Sequence, residues 1–73
     1  MKARINRNRT ANGLTLEQVM NKYIRPHTPD NWANTIKLML LGLNKEGGRW
    51  MWSNAALVFT RTGEDSFNVE DLA

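Results

Sequence analysis

Two consecutive runs decide how this chain reads. The first is Thr28-Pro29-Asp30-Asn31-Trp32-Ala33-Asn34-Thr35-Ile36-Lys37-Leu38-Met39-Leu40-Leu41-Gly42-Leu43; the second is Asn44-Lys45-Glu46-Gly47-Gly48-Arg49-Trp50-Met51-Trp52. Thr28 is a preferred helix N-cap, and Pro29 at the first helical position loses nothing by lacking an N–H. Asp30 places negative charge in the first turn, where the helix dipole favours it. Trp32, Ile36, Met39, Leu40 and Leu43 recur at steps of three and four, which lays them on one face and predicts a helix over residues 28–43. After Asn44 the period becomes strand-like. Gly47-Gly48 tolerates the positive φ of tight turns, so residues 45–52 read as a hairpin with Trp50 and Trp52 on one face and Arg49 and Met51 on the other. The tryptophans are expected to pack on the helices, with base stacking as the alternative. Lys45 and Arg49 then lie at a basic loop edge.

Upstream, Leu14 to Tyr23 reads as a second helix. Thr15 and Gln18 form a T-x-x-Q capping box, Leu14 and Val19 a hydrophobic staple, and Leu16, Val19, Met20 and Tyr23 one apolar face. Pro26 is expected to end it by pushing Arg25 out of helical angles. Arg25-Pro26-His27 is then a tight link of helix-turn-helix type. Residues 1–13 carry Lys2, Arg4, Arg7 and Arg9 without an acid and read as a flexible basic arm. Downstream, residues 53–63 are read as a short helix begun at Ser53 and ended at Gly63. A strand is the alternative there, because Val58, Phe59, Thr60 and Thr62 are strand formers. Residues 64–73 read as an acidic C-terminal tail anchored by Phe67, Val69 and Leu72. The domain organisation expected is therefore an arm (1–13), a folded domain (14–63) and a tail (64–73).

The outer face of the central helix is mixed. Asn31, Asn34, Thr35 and Lys37 suit base edges and phosphates. Leu38 and Leu41 fall off the core stripe and need a cover. That cover is the C-terminal segment, a second copy or a protein target.

Composition bounds the rest. A chain of 73 residues holds one modest core and buries only about 60% of its unfolded surface. It has no cysteine and one histidine, so neither a disulfide nor a zinc site is expected. No apolar run reaches the ~20 residues of a membrane span, and the absence of a signal-peptide core suggests a cytoplasmic protein. No Ser–His–acid or Cys–His set and no phosphate loop can be assembled, so an enzyme, a cofactor or a small-molecule substrate is not expected. Residues 1–61 hold all ten Lys and Arg against Glu17, Asp30 and Glu46, a net of +7, while Glu64, Asp65, Glu70 and Asp71 give residues 62–73 a net of −4. Such asymmetry suggests a polyanionic partner.

The order helix, turn, helix, glycine hairpin, aromatic strand resembles the small winged-helix fold of phage excisionases and of the DNA-binding domains of mercury-resistance-type regulators. The matching pieces are Leu14-Thr15-Leu16-Glu17-Gln18-Val19, Thr35-Ile36-Lys37, Gly42-Leu43 and Gly47-Gly48-Arg49-Trp50, within residues 14–57. The resemblance implies an α+β winged helix-turn-helix of two to three helices plus a β-hairpin wing. It also implies a helix in the major groove, Asn34 and Lys37 facing it, and Lys45 and Arg49 on the wing. Leu38 and Leu41 depart from the pattern, standing where such proteins usually carry polar or basic side chains.

Two functions follow as expectations. The first is binding of double-stranded DNA, as an excisionase or small transcription regulator, through Arg4, Arg7, Arg9, Asn31, Asn34, Thr35, Lys37, Lys45 and Arg49, with an integrase or a second copy as partner. The alternative is a small phage-type module that inhibits a host protein through Leu38, Leu41, Phe67 and the acidic tail. RNA binding by the arm is a third and weaker reading.

Overall fold

The computed structural model describes residues 10–72. Two helical elements pack on one face of a four-stranded antiparallel sheet whose strand order is β1-β4-β3-β2, a small α+β fold. The strands are β1 (Ala11–Leu14), β2 (Arg49–Trp52), β3 (Leu57–Gly63) and β4 (Ser66–Asp71). The long helix is α2 (Asp30–Leu41); α1 (Leu16–Val19) begins the other helical segment.

The capping box at α1 forms as its sequence requires: the Gln18 N–H donates to Thr15 Oγ1 at 3.2 Å, and the Thr15 N–H donates to Gln18 Oε1 at 2.9 Å. The Leu16 N–H, also orphaned at a helix start, donates to the Asp65 carboxylate at 2.8 Å. Beyond Val19 the segment widens into a π-helical turn, Met20–Ile24, and tightens into a 3-10 turn, Arg25–His27. Pro26 therefore does not end the helix at Arg25, which keeps helical angles (φ −60°, ψ −36°). In a regular helix the proline ring collides with the carbonyl four residues back; the wider turn, with the Arg25 N–H reaching Met20 O, relieves that collision. Leu16, Val19, Met20, Tyr23 and Ile24 are all buried.

α2 starts one residue later than the sequence suggests. Pro29, extended at ψ 156°, is its N-cap, and Thr28 is extended too, as a residue before proline should be. Ala33, Ile36 and Leu40 form its buried stripe. Trp32 and Met39, expected in that stripe, sit on its flank and are 57% and 42% exposed.

Four further expectations are corrected. Gly47-Gly48 does not turn a hairpin of its own. The Gly47 N–H donates to Arg61 O at 2.9 Å and the Arg61 N–H to Gly48 O at 2.8 Å, so two residues of the loop face one of β3. This is a bulge of the kind that needs glycine at its first position, and Gly47 has φ +102°. A Cβ on Gly48 would lie 2.4 Å from the Asn44 nitrogen, which excludes any side chain there without a backbone shift. Residues 53–63 are not a helix: a 3-10 turn, Ser53–Ala55, and Ala56 in the left-handed region (φ 54°) lead into β3. The alternation of buried Leu57, Phe59 and Arg61 with Val58, Thr60 and Thr62 wins over the helix propensity of the alanines. Of the expected tail 64–73, the described residues 64–72 are not a tail. β4 lies inside the sheet between β1 and β3, and Phe67, Val69 and Asp71 are buried. At the other end, residues 11–14 belong to the sheet rather than to an arm, and residues 1–9 lie outside the described residues.

Phe59, Phe67, Leu57 and Val69 of the sheet meet the helices in one core. Phe59 is its hub, edge-on to Tyr23 at 6.4 Å and stacked with Trp50 at 5.8 Å between ring centroids. Arg61 is a buried cation, 5% exposed, that the sequence reading missed. Its guanidinium donates to the carbonyls of Leu41 (2.7 Å), Leu43 (3.2 Å), Gly63 (3.0 Å) and Glu64 (2.5 Å). It thus satisfies the carbonyls left over at the end of α2, where positive charge also suits the dipole.

Candidate interaction surfaces

Three surfaces follow from this packing: the outer ridge of α2, a groove between α2 and β2, and the open face of the sheet. Steps of three, four and three place Asn31, Asn34, Leu38 and Leu41 along the ridge, polar in its first half and apolar in its second. Leu38 is 70% exposed and Leu41 44%. Thr35 lies beside them, its hydroxyl donating to Asn31 O at 3.3 Å.

The two flanks of α2 differ. On the α1 side Lys37 Nζ is 3.6 Å from Glu17 Oε2, and Arg25 Nη1 is 3.6 Å from Glu17 Oε1, so one carboxylate holds two cations. On the other side Trp32, Ile36 and Met39 face Trp50 and Trp52 across a groove of about 490 Å³, with His27 and Asn54 on its rim. Trp50 and Trp52 stack on one another at 6.0 Å. All three of the chain's tryptophans meet there.

The residues expected to contact DNA are only partly brought together. Asn31, Asn34, Thr35 and Lys37 share α2. Lys45 lies in the loop after it, 3.7 Å from Glu64 of the β3–β4 turn. Arg49 alternates with Trp50 and Trp52, so it projects from the sheet face opposite the helices, where it lines a second cavity with Met51, Val58, Glu70 and Leu72. Arg4, Arg7 and Arg9 lie outside the described residues. Phe67, expected on a docking surface, is fully buried and is instead a core residue. Three of the four acidic residues of the expected tail are likewise absorbed: Asp65 caps α1, Glu64 pairs with Lys45 and Asp71 is buried, while Glu70 lines the cavity beside Arg49. Across residues 10–72 there are six Lys and Arg against seven Asp and Glu, a net of −1. Within the described residues the acidic segment folds back among the cations and no net positive charge is left.

Among the described residues no group of three or more His, Cys, Asp or Glu is placed to hold a metal, and no described helix is long and apolar enough to cross a membrane. No protein-family model matches this chain, and no curated protein or solved structure matches it significantly.

Proposed function

We propose that this chain is a non-enzymatic, cytoplasmic protein-binding module that docks one partner on the outer ridge of α2. The observation that carries the reading is Leu38, a large apolar side chain standing 70% exposed on the ridge with Leu41 one turn along. Burying one leucine fully is worth about 1.5–3 kcal/mol, so covering the pair offers a partner a substantial gain. The pattern Asn31–Asn34–Leu38–Leu41 is that of a helix laid in a groove, two apolar anchors followed back along the helix by two hydrogen-bonding amides. The partner therefore offers an apolar cleft with polar groups at one end. Inhibition of an enzyme by occlusion fits such a module.

Electrostatics support the same reading. Duplex DNA selects a surface with several unpaired cations on one side. Here Lys37 and Lys45 each face a carboxylate, and Arg49 points from the far face of the sheet. The winged-helix description remains our proposal for the finer fold, with α1 and α2 as the helix pair and the β2–β3 hairpin as the wing. A second reading, contact with double-stranded DNA by Arg4, Arg7 and Arg9, is favoured by charge alone: residues 1–9 carry +4 and the remainder none net positive.

Affinity capture with the wild-type chain and with Leu38→Asp, followed by titration of the recovered partner, tests the docking reading. The expected result is one partner bound by the wild type and lost with Leu38→Asp, whose fold is unchanged by circular dichroism. Tight binding of duplex DNA by a chain lacking residues 1–9, with Leu38→Asp binding as well as wild type, would overturn it.

A further inference from the structure

The two edges of the sheet are built differently. β1 is irregular: its pairing with β4 shifts between Ala11 and Leu14, Gly13 has φ +68°, and the Gly13 N–H donates to an Asn68 side chain at 3.0 Å. Bulges of this kind protect an edge from pairing with another chain. In β2 the glycine bulge at Gly47-Gly48 stops short of the strand, and the strand itself is regular. It runs in regular register with β3, Arg49 to Thr60 through Trp52 to Leu57, and pairs with no other strand among the described residues.

The hydrogen-bond parity of β2 is fixed from both sides. Arg61 bonds Gly47 and Gly48, so the odd-numbered residues of β3 turn their backbone groups toward β2. The Leu72 N–H donates to Ala56 O at 2.7 Å, so the even-numbered ones turn toward β4. Trp50, opposite Phe59, and Trp52, opposite Leu57, therefore bond inward. The N–H and C=O of Arg49 and Met51 point out of the sheet, and Met51 is 59% exposed.

We propose that this edge pairs antiparallel with β2 of a second copy, joining two sheets of four strands into one of eight. One register suits it: Trp50 opposite Trp50, Arg49 opposite Met51, and Gly48 opposite Trp52. It engages the outward N–H and C=O of Arg49 and Met51 in both copies. It sets aromatic against aromatic at the close, non-hydrogen-bonded position, where cross-strand side chains approach most nearly. It lays each Trp52 over a glycine, and it opposes no two like charges. The neighbouring register, centred on Met51, sets Arg49 against Ser53, which has already left the strand for the 3-10 turn. A second copy is the occupant because β2 is complementary to itself under a two-fold axis normal to the sheet. The interface uses neither Leu38 nor Leu41, so it stands or falls apart from the docking ridge of α2.

Sedimentation velocity on the full chain from micromolar to millimolar concentration tests it. The wild type is expected to dimerise, and Met51→Pro, which removes an outward N–H, to weaken the dimer about tenfold or more while the monomer stays folded. Should the proline disturb the fold, Met51→Lys and Met51→Glu carry the test. Lysine sets like charges against Arg49 across the interface and weakens the dimer; glutamate supplies opposite charge and preserves it. A wild type that stays monomeric throughout, a dimer indifferent to both charges, or a dimer lost with Leu38→Asp alone would each overturn the proposal.

Discussion

The two flanks of α2 solve opposite problems. Toward α1 the charges are satisfied within the chain, with Glu17 holding both Lys37 and Arg25. Toward β2 the apolar side chains are left over, with Trp32 and Met39 overlooking an open groove. Between the flanks runs a ridge whose second half is leucine. The lesson is that the net charge of a sequence segment does not say where its charges stand once the chain is folded. Of the described cations expected on a DNA surface, Lys37 and Lys45 lie against carboxylates while Arg49 projects from the far face of the sheet, and of the expected core stripe Trp32 and Met39 are on show.

The comparison presumes that α2 is held rigid at its C-terminus, and Arg61→Ala breaks that premise. Four carbonyls lose their donor, so a stability loss of about 3 kcal/mol or more is expected in urea unfolding. Leu38→Asp sharpens the comparison at the ridge. Partner affinity should fall about tenfold or more while the fold persists with a stability loss of about 1 kcal/mol, since Asp is a poorer helix former than Leu and stands in the last turn, where the dipole disfavours negative charge. At the charged flank, Glu17→Gln removes the shared carboxylate of two exposed pairs. Stability should drop by less than about 1 kcal/mol, and less still at high salt; a larger loss would show that this flank is structural rather than solvated. The smallest effect is expected at the turn feeding the tryptophan flank. Ala56 sits at φ 54°, so Ala56→Gly should raise the unfolding midpoint, a gain of about 0.5–1 kcal/mol.

What was legible in the sequence was local. The capping box at Thr15 and Gln18 and the apolar stripe through Leu16, Val19, Met20 and Tyr23 each depend on near neighbours along the chain. What was not legible depends on distant partners. Gly47-Gly48 looks like a hairpin until its bonds to Arg61 are known. Residues 64–73 look like a solvated tail because their acids dominate, yet Phe67 and Val69 stand two apart as a strand requires, and Asp65 finds the start of α1 some fifty residues back. The candidate site was half visible: Leu38 and Leu41 were identified as uncovered, but Phe67 was misplaced, and the groove lined by Trp32 and Met39 was hidden inside an apparent core stripe.

The central claim is that the α2 ridge, and not a cationic surface, meets the partner. A photo-crosslinking residue at position 38, with position 62 on the opposite face as control, tests it most directly in the cell that makes the protein. The account predicts a discrete protein adduct from position 38 that is absent from position 62. A nucleic-acid adduct from position 38, or none from it at all, would contradict it.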